Sequence, residues 1–135
     1  MNDCPLCTTD GGRVLARAAQ WRIVLADEPG WPGVARVIWQ DHVAEMTDLS
    51  TAHRQLLMQV VFELEAVMRA QLAPDKINLA SLGNQVPHLH WHLVPRYRDD
   101  SHFPAPLWAA PVRAARAADP ARIEAFAEAV TRGFG

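Results

Sequence analysis

The chain has 135 residues, half of them apolar and 21% charged, with a formal net charge of −2. That length suits one domain over residues 1–135 with its own hydrophobic core and leaves little room for a second. The near-neutral balance offers no electrostatic footprint for long nucleic acid or an anionic membrane, and no stretch reaches the roughly 20 apolar residues that a spanning helix needs.

The first residues, MNDCPLC, carry no basic segment followed by an apolar run, so no secretory signal is read there and the expected compartment is the cytoplasm. Cys4 and Cys7 are the two cysteines. In a reducing compartment they are poor candidates for a structural disulfide, which leaves metal binding, redox chemistry or two ordinary thiols near a terminus. The runs WRIVLA (21–26) and VARVIW (34–39) are short and rich in β-branched and aromatic residues, and PGWPG (29–33) between them supplies turn chemistry. They are expected to form an antiparallel pair.

Over 51–72 the pattern changes: Leu57, Val60, Val61, Leu64, Val67, Met68 and Leu72 recur at three- and four-residue steps without an internal Pro or Gly. This spacing predicts an amphipathic helix capped by Ser50, stopped before Pro74 and turned with its apolar stripe to a sheet. His53 in its first turn reads as a surface or capping residue. KINLASL (76–82) and VPHLHWHLVP (86–95) follow as two more strands, with Gly83 and Asn84 suited to a turn between them. PAPLWAAP (104–111) marks a longer loop, and Asp119-Pro120 and Gly133 bracket a terminal helix over 120–132. The expected fold is α+β: a mostly antiparallel sheet of about five strands, one long helix and a C-terminal helix.

Half of the six histidines fall within His88-Leu89-His90-Trp91-His92. On a strand, alternate side chains share a face, so the three imidazoles are expected together on one side while Leu89, Trp91 and Leu93 face the core. Same-face neighbours lie roughly 6.5 to 7 Å apart, which puts His88 and His92 about 13 Å apart and prevents three rings of one straight strand from converging on one ion with bonds of about 2 Å. A purely structural row would need a separate partner for each neutral ring and would suffer repulsion if protonated. Nucleophilic attack on phosphorus uses the row well. A neutral imidazole is a good nucleophile near neutral pH, a neighbouring one can donate a proton to the leaving group, and nearby donors can hold the non-bridging oxygens.

The run His88-Leu89-His90-Trp91-His92-Leu93-Val94 resembles the His-φ-His-φ-His-φ-φ signature of the histidine triad (HIT) superfamily, and especially its bacterial members similar to diadenosine tetraphosphate hydrolases. Gly83 and Val86 before the first histidine, Pro95-Arg96 after the last, Pro32-Gly33 leading into a strand, and Asn78 extend the likeness over about residues 4–98, leaving the loop and helix of 99–135 outside it. The resemblance implies a nucleotide hydrolase or nucleotidyl transferase acting on dinucleoside polyphosphates or nucleoside phosphoramidates. His90 would be the nucleophile toward the α-phosphate and His92 the donor to the leaving group, with His88 completing the triad. Asn78 would bind phosphate, and Asp27 is the candidate for the ribose hydroxyls.

Two departures stand out. Gln85 occupies the place of a common Ser or Thr, and its amide can still donate to a phosphate oxygen. Val34 stands where many members have a further histidine. With chemistry lost through these two positions, the chain would instead be a nucleotide-binding or interaction protein. A subset of the superfamily binds zinc through an N-terminal Cys-x-x-Cys, a histidine beyond the second strand and the first triad histidine. The resemblance therefore implies a structural zinc on Cys4, Cys7, His42 and His88, with no cofactor needed for the catalytic step. It also implies a small-molecule nucleotide as ligand and a homodimer. His102 reads as a solvent-facing loop residue, while Phe103, Leu107 and Trp108 of the same loop could cover the nucleotide or the dimer partner.

Overall fold

The computed structural model describes residues 3–134. A single helical turn, α1 (Pro5–Thr8), leads into β1 (Arg13–Arg17), β2 (Trp21–Leu25) and β3 (Ala35–Trp39). After a 3-10 turn at Met46–Asp48 come the long helix α2 (Thr51–Leu72), then β4 (Lys76–Ala80), β5 (His90–Arg96) and the closing helix α3 (Pro120–Phe134). The strands form one antiparallel five-stranded sheet in the order β1-β2-β3-β5-β4, so the fold is α+β. β5 lies between β3 and β4, which joins the two expected hairpins into a continuous sheet.

The apolar alternation read along each strand decides the faces. Ile23, Val37 and Leu93 are fully buried on the side packed by Leu57, Leu64 and Met68 of α2 and by Phe126 of α3. α2 begins where expected, with the Ser50 hydroxyl accepting from the His53 amide at 3.2 Å, and it ends at Ala73, left-handed at φ 46°, just before Pro74. His53 is exposed, as expected, with its ring 5.1 Å from that of Trp39. Gly33 enters β3 at φ 88°, and a Cβ there would stand 2.9 Å from Leu72 Cδ1, so the close approach of this loop to α2 needs glycine.

The opposite face is covered only in part. The N-terminal segment packs Cys4 and Leu6 on Val24 and Ile38. On the other side, Ala26, Val34 and Val94 meet Trp31 and Leu107. His90, His92 and Arg36 lie on this same face, since Ile38 pairs with His90 and Arg36 with His92.

Four features differ from the sequence-based expectation. The short RVLAR run, which lacks clear alternation and shows no turn signal on its far side, forms the edge strand β1. The expected strand at 86–95 starts only at His90: Pro87 has no amide to give a ladder, the His88 amide turns back on the Val86 carbonyl at 2.8 Å, and the Leu89 amide donates to Val43 at 2.7 Å. The connection after β4 is therefore the irregular segment 81–89 rather than a tight Gly83-Asn84 turn. Finally, α3 runs through Gly133 to Phe134, whose ring packs edge-on to Trp21 at 5.6 Å.

Candidate functional site

The break in the strand before His90 divides the three histidines. His88, wholly buried, points its imidazole toward the N-terminal segment, whereas His90 and His92 remain side by side on β5 with ring centroids 4.8 Å apart. The expected row of three rings on one strand face is thus corrected to a pair, with His88 part of a different cluster.

That cluster is Cys4, Cys7, His42 and His88, whose ligating atoms all lie within 4.8 Å of one another. His88 Nδ1 is 3.5 Å from both Cys4 Sγ and Cys7 Sγ, His42 Nδ1 is 3.3 Å from Cys7 Sγ, and the two Nδ1 atoms are 3.2 Å apart. Bonds of about 2.0 Å to nitrogen and about 2.3 Å to sulfur place tetrahedral ligand atoms roughly 3.3 to 3.8 Å from one another, so the set has the dimensions of a four-coordinate cage. His88 Nε2 lies 2.7 Å from the Trp39 carbonyl, to which it donates. Its proton is thereby fixed on Nε2 and its Nδ1 lone pair is turned to the cysteines. Burial lowers the basicity of His88, which keeps that lone pair free. The four residues could hold a metal ion.

The segment carrying the cysteines is fastened from beneath. Arg22, 4% exposed on β2, donates to the carbonyls of Leu6 at 2.8 Å, Thr9 at 3.1 Å and Asp10 at 2.9 Å. A buried guanidinium with carbonyl partners on three sides holds the Cys-x-x-Cys turn against the sheet.

His90 and His92 line an open cleft of about 620 Å³, bounded by Leu6, Val86, Leu107 and Trp108. Their hydrogen bonds put them in opposite tautomers. His90 Nδ1 donates to the His88 carbonyl, which leaves Nε2 with a lone pair. His92 Nδ1 accepts from Arg36 Nε at 3.4 Å, which leaves the ring proton on Nε2. Burial lowers the basicity of both. For His92, burial, then His90 and Arg36, bring the pKa to about 4, so both rings are neutral at neutral pH.

The other predicted residues are distributed unevenly around this pair. Gln85 is exposed on the rim of the cleft near His90. Asn78 shares the face of His92 and lines a neighbouring cavity of about 70 Å³ with Trp31, Val34, Val94 and Trp108. Its Oδ1 accepts from Arg96 Nη1 at 2.8 Å. Asp27 is not brought to the histidines: it is exposed and faces a separate depression with Pro29, Arg116 and Ile123. Its neighbour Glu28 is the acid in the cleft, ion-paired with Arg36. His102 is also corrected: it is 8% exposed, with Nδ1 2.7 Å from the Ser101 hydroxyl and its ring 5.0 Å from Trp31.

Arg36, Glu28 and Asp100 went unread in the sequence, and Arg96 was read only as part of the family likeness. The signal for Arg36 was a charge at the centre of the apolar run VARVIW, at a position whose period-2 partners face away from the core. Arg96 and Asp100 are 2% and 5% exposed and joined at 2.8 and 3.1 Å. Arg96 also donates to the Ala105 carbonyl and lies 5.2 Å from the Trp31 ring and 5.6 Å from that of Phe103. Burial pushes the Asp100 carboxyl up, but Arg96 and the amides of His102, Tyr97 and Phe103 outweigh it and hold its pKa at about 2. This pair ties the loop bearing Leu107 and Trp108 to the strand bearing the histidines.

Comparison with known proteins agrees with this architecture. The HIT domain family model matches residues 11–99. No curated protein matches the chain significantly. Among solved structures, a histidine triad protein from Bradyrhizobium japonicum superposes with a TM-score of 0.77 at 23% identity, over 93% of this chain and 92% of that one. One from Marinobacter aquaeolei gives 0.75 at 24% identity over 93% of each chain. A zinc-bound histidine triad family protein from Mycobacterium smegmatis gives 0.67 at 21% identity, over 98% of this chain and 95% of that one. At these identities the superpositions establish a shared fold.

Proposed function

The chain belongs to the HIT domain family, and from that premise we propose that it is a nucleotide hydrolase or nucleotidyl transferase whose His90 attacks the α-phosphate of a dinucleoside polyphosphate or a nucleoside phosphoramidate. The observation that carries this reading is the pair of tautomers: a free Nε2 lone pair on His90 beside an Nε2–H on His92, at the wall of a cleft large enough for a nucleotide. At neutral pH, His90 can attack and His92 can offer a hydrogen bond to the leaving group without a change of protonation.

In this reading, Nε2 of His90 forms a bond to the α-phosphorus while the bond to the leaving group breaks and its electron pair departs with that group. Water then attacks the phosphorus and gives up a proton to solvent as the P–N bond breaks and its pair returns to Nε2; where the leaving group is an amine, it takes up a proton from solvent as it departs. Gln85 and the Asn78 amide are assigned to the non-bridging oxygens, the latter because Arg96 occupies its carbonyl and leaves the NH₂ group as donor. Asp27, away from the cleft, is given no part in ribose binding here. Cys4, Cys7, His42 and His88 are assigned a structural zinc, which would lock the N-terminal turn to the segment before β5 and so fix where His90 begins. A homodimer is part of the same proposal, supported by the exposed apolar side chains of Phe62, Leu82 and Trp108.

Mass spectrometry of protein quenched during turnover of diadenosine tetraphosphate should find a nucleotidyl adduct on His90. An adduct elsewhere, or turnover undiminished in His90→Asn, would remove the assignment. Tight AMP binding with no turnover of either substrate class would turn the reading toward a nucleotide-binding protein.

A further inference from the structure

The cleft holds a cation whose charge the chemistry above leaves unused, since there it only fixes the tautomer of His92. Arg36 stands opposite His92 in the β3–β5 register and is the only Lys or Arg among the described residues lining the cleft. Its five N–H donors are thinly employed. Nε reaches His92 Nδ1 at 3.4 Å, Nη1 reaches the Gly11 carbonyl at 3.5 Å, and Nη2 is paired with the Glu28 carboxylate. The side chains of Arg36 and Glu28 are 21% and 38% exposed, so the pair is sheltered but open to the cleft.

We propose that Arg36 determines the leaving-group specificity of this site by receiving a departing phosphate, exchanging part of its hold on Glu28 for the phosphate oxygens. This rests on the reading of His90 as nucleophile. When Nε2 of His90 bonds to the α-phosphorus, the bridging P–O bond breaks and its electron pair stays on the departing phosphate, which gains one negative charge. A planar guanidinium next to His92 meets that charge with two parallel donors. The apolar side chains of Leu6, Val86 and Leu107 in the cleft wall lower the local dielectric and so strengthen the attraction.

The alternative leaving group is an amine, which must take up a whole proton to depart. His92 is poorly equipped to supply one. Its pKa of about 4 leaves it neutral, able to donate a hydrogen bond but not to release a proton readily, and Arg36 is one of the causes. A phosphate needs no such proton at neutral pH. Burial first, then His90 and Arg36, suppress acid catalysis by His92, and Arg36 favours the leaving group that can do without it.

Diadenosine tetraphosphate and adenosine 5′-phosphoramidate share the nucleoside and the α-phosphorus and differ in what leaves. The wild-type protein should show the higher kcat/KM on the tetraphosphate. Arg36→Ala should lower that value about 100-fold, against less than tenfold on the phosphoramidate, the scale of a charge-assisted bond formed in the transition state. Arg36→Lys keeps the charge without the fork and should lose about tenfold, again mainly on the tetraphosphate; it supplies the comparison should Arg36→Ala fail to fold. Glu28→Gln frees the guanidinium and should lower KM for the tetraphosphate. Equal losses on both substrates, a wild-type preference for the phosphoramidate, or a Glu28→Gln variant as impaired as Arg36→Ala would each overturn the assignment. His90→Ala separates the two levels: activity surviving in it removes the nucleophile reading itself, whereas a dead His90→Ala with equal Arg36 losses removes only the leaving-group role.

Discussion

His88 and His90 are two residues apart, yet they belong to environments that differ in nearly every respect. His88 is fully buried, bonded through Nε2 to the Trp39 carbonyl and faced by two thiols and a second imidazole. His90 is turned the other way round, bonded through Nδ1, with Nε2 free at an open cleft. One ring turns its lone pair to the thiols and the other to the cleft. The cause is the backbone: Pro87 has no amide to give and the His88 amide turns back on Val86, so regular strand begins only at His90 and the three rings do not form one row. A repeat of residue type in a sequence is therefore no guarantee of a repeat of role, and the hydrogen bond on the far nitrogen is what assigns each imidazole its task.

The sharpest test of this division is His90→Asn, which should lower kcat by about 10⁴-fold or more while thermal unfolding changes by only a few degrees. A retained rate would erase the distinction between the two rings. Removing the proposed zinc probes the other side. Chelation, or the double change Cys4→Ser and Cys7→Ser, should cost about 4 kcal/mol of stability if zinc is held at about a thousandfold above its Kd, with kcat reduced much less than in His90→Asn. Calorimetry paired with an activity assay reads both, and an activity loss that outruns the stability loss would mean that the cluster acts in the chemistry.

A smaller effect comes from the opposite side of the cleft. Asp100→Asn leaves the buried Arg96 guanidinium without its carboxylate and should destabilise the fold by about 3 kcal/mol in urea unfolding. It should raise KM, because Arg96 also anchors Asn78 and the loop carrying Trp108, and it should leave metal content unchanged. An effect of similar size is with pH. The folded-state pKa of His92 is depressed to about 4, below the ordinary imidazole value. As pH falls from about 6.5 toward 4, the unfolded chain takes up a proton that the folded chain refuses, so stability declines over that window and levels off below it. His92→Asn, compared with wild type in identical buffers so that metal loss cancels, should show a shallower decline.

Much of this was written in local pattern. The three- and four-residue spacing of Leu57, Val60, Val61, Leu64 and Met68 leaves a helix as the simple way to bury one stripe, and Ser50 and Pro74 mark its ends. The alternation through Trp91 and Leu93 identified the core side of β5, and the Cys4, Cys7, His42 and His88 set was legible through its family likeness. RVLAR escaped because a short edge strand shows little periodicity, and His102 was read as exposed because nothing local announces Trp31 beside it.

By itself, the sequence determined the type of every long element, the limits of α2 and which residue types could react, since propensity, capping and period act between near neighbours. That His90 and His92 stay paired with opposite tautomers while His88 turns away, that Arg36 and Glu28 rather than Asp27 stand in the cleft, and that Arg96 fixes Asn78 were decided by the tertiary structure alone. Those assignments depend on strand register and on contacts between distant segments, and a one-residue slip of β5 against β3 would reverse every side chain between the core and the cleft.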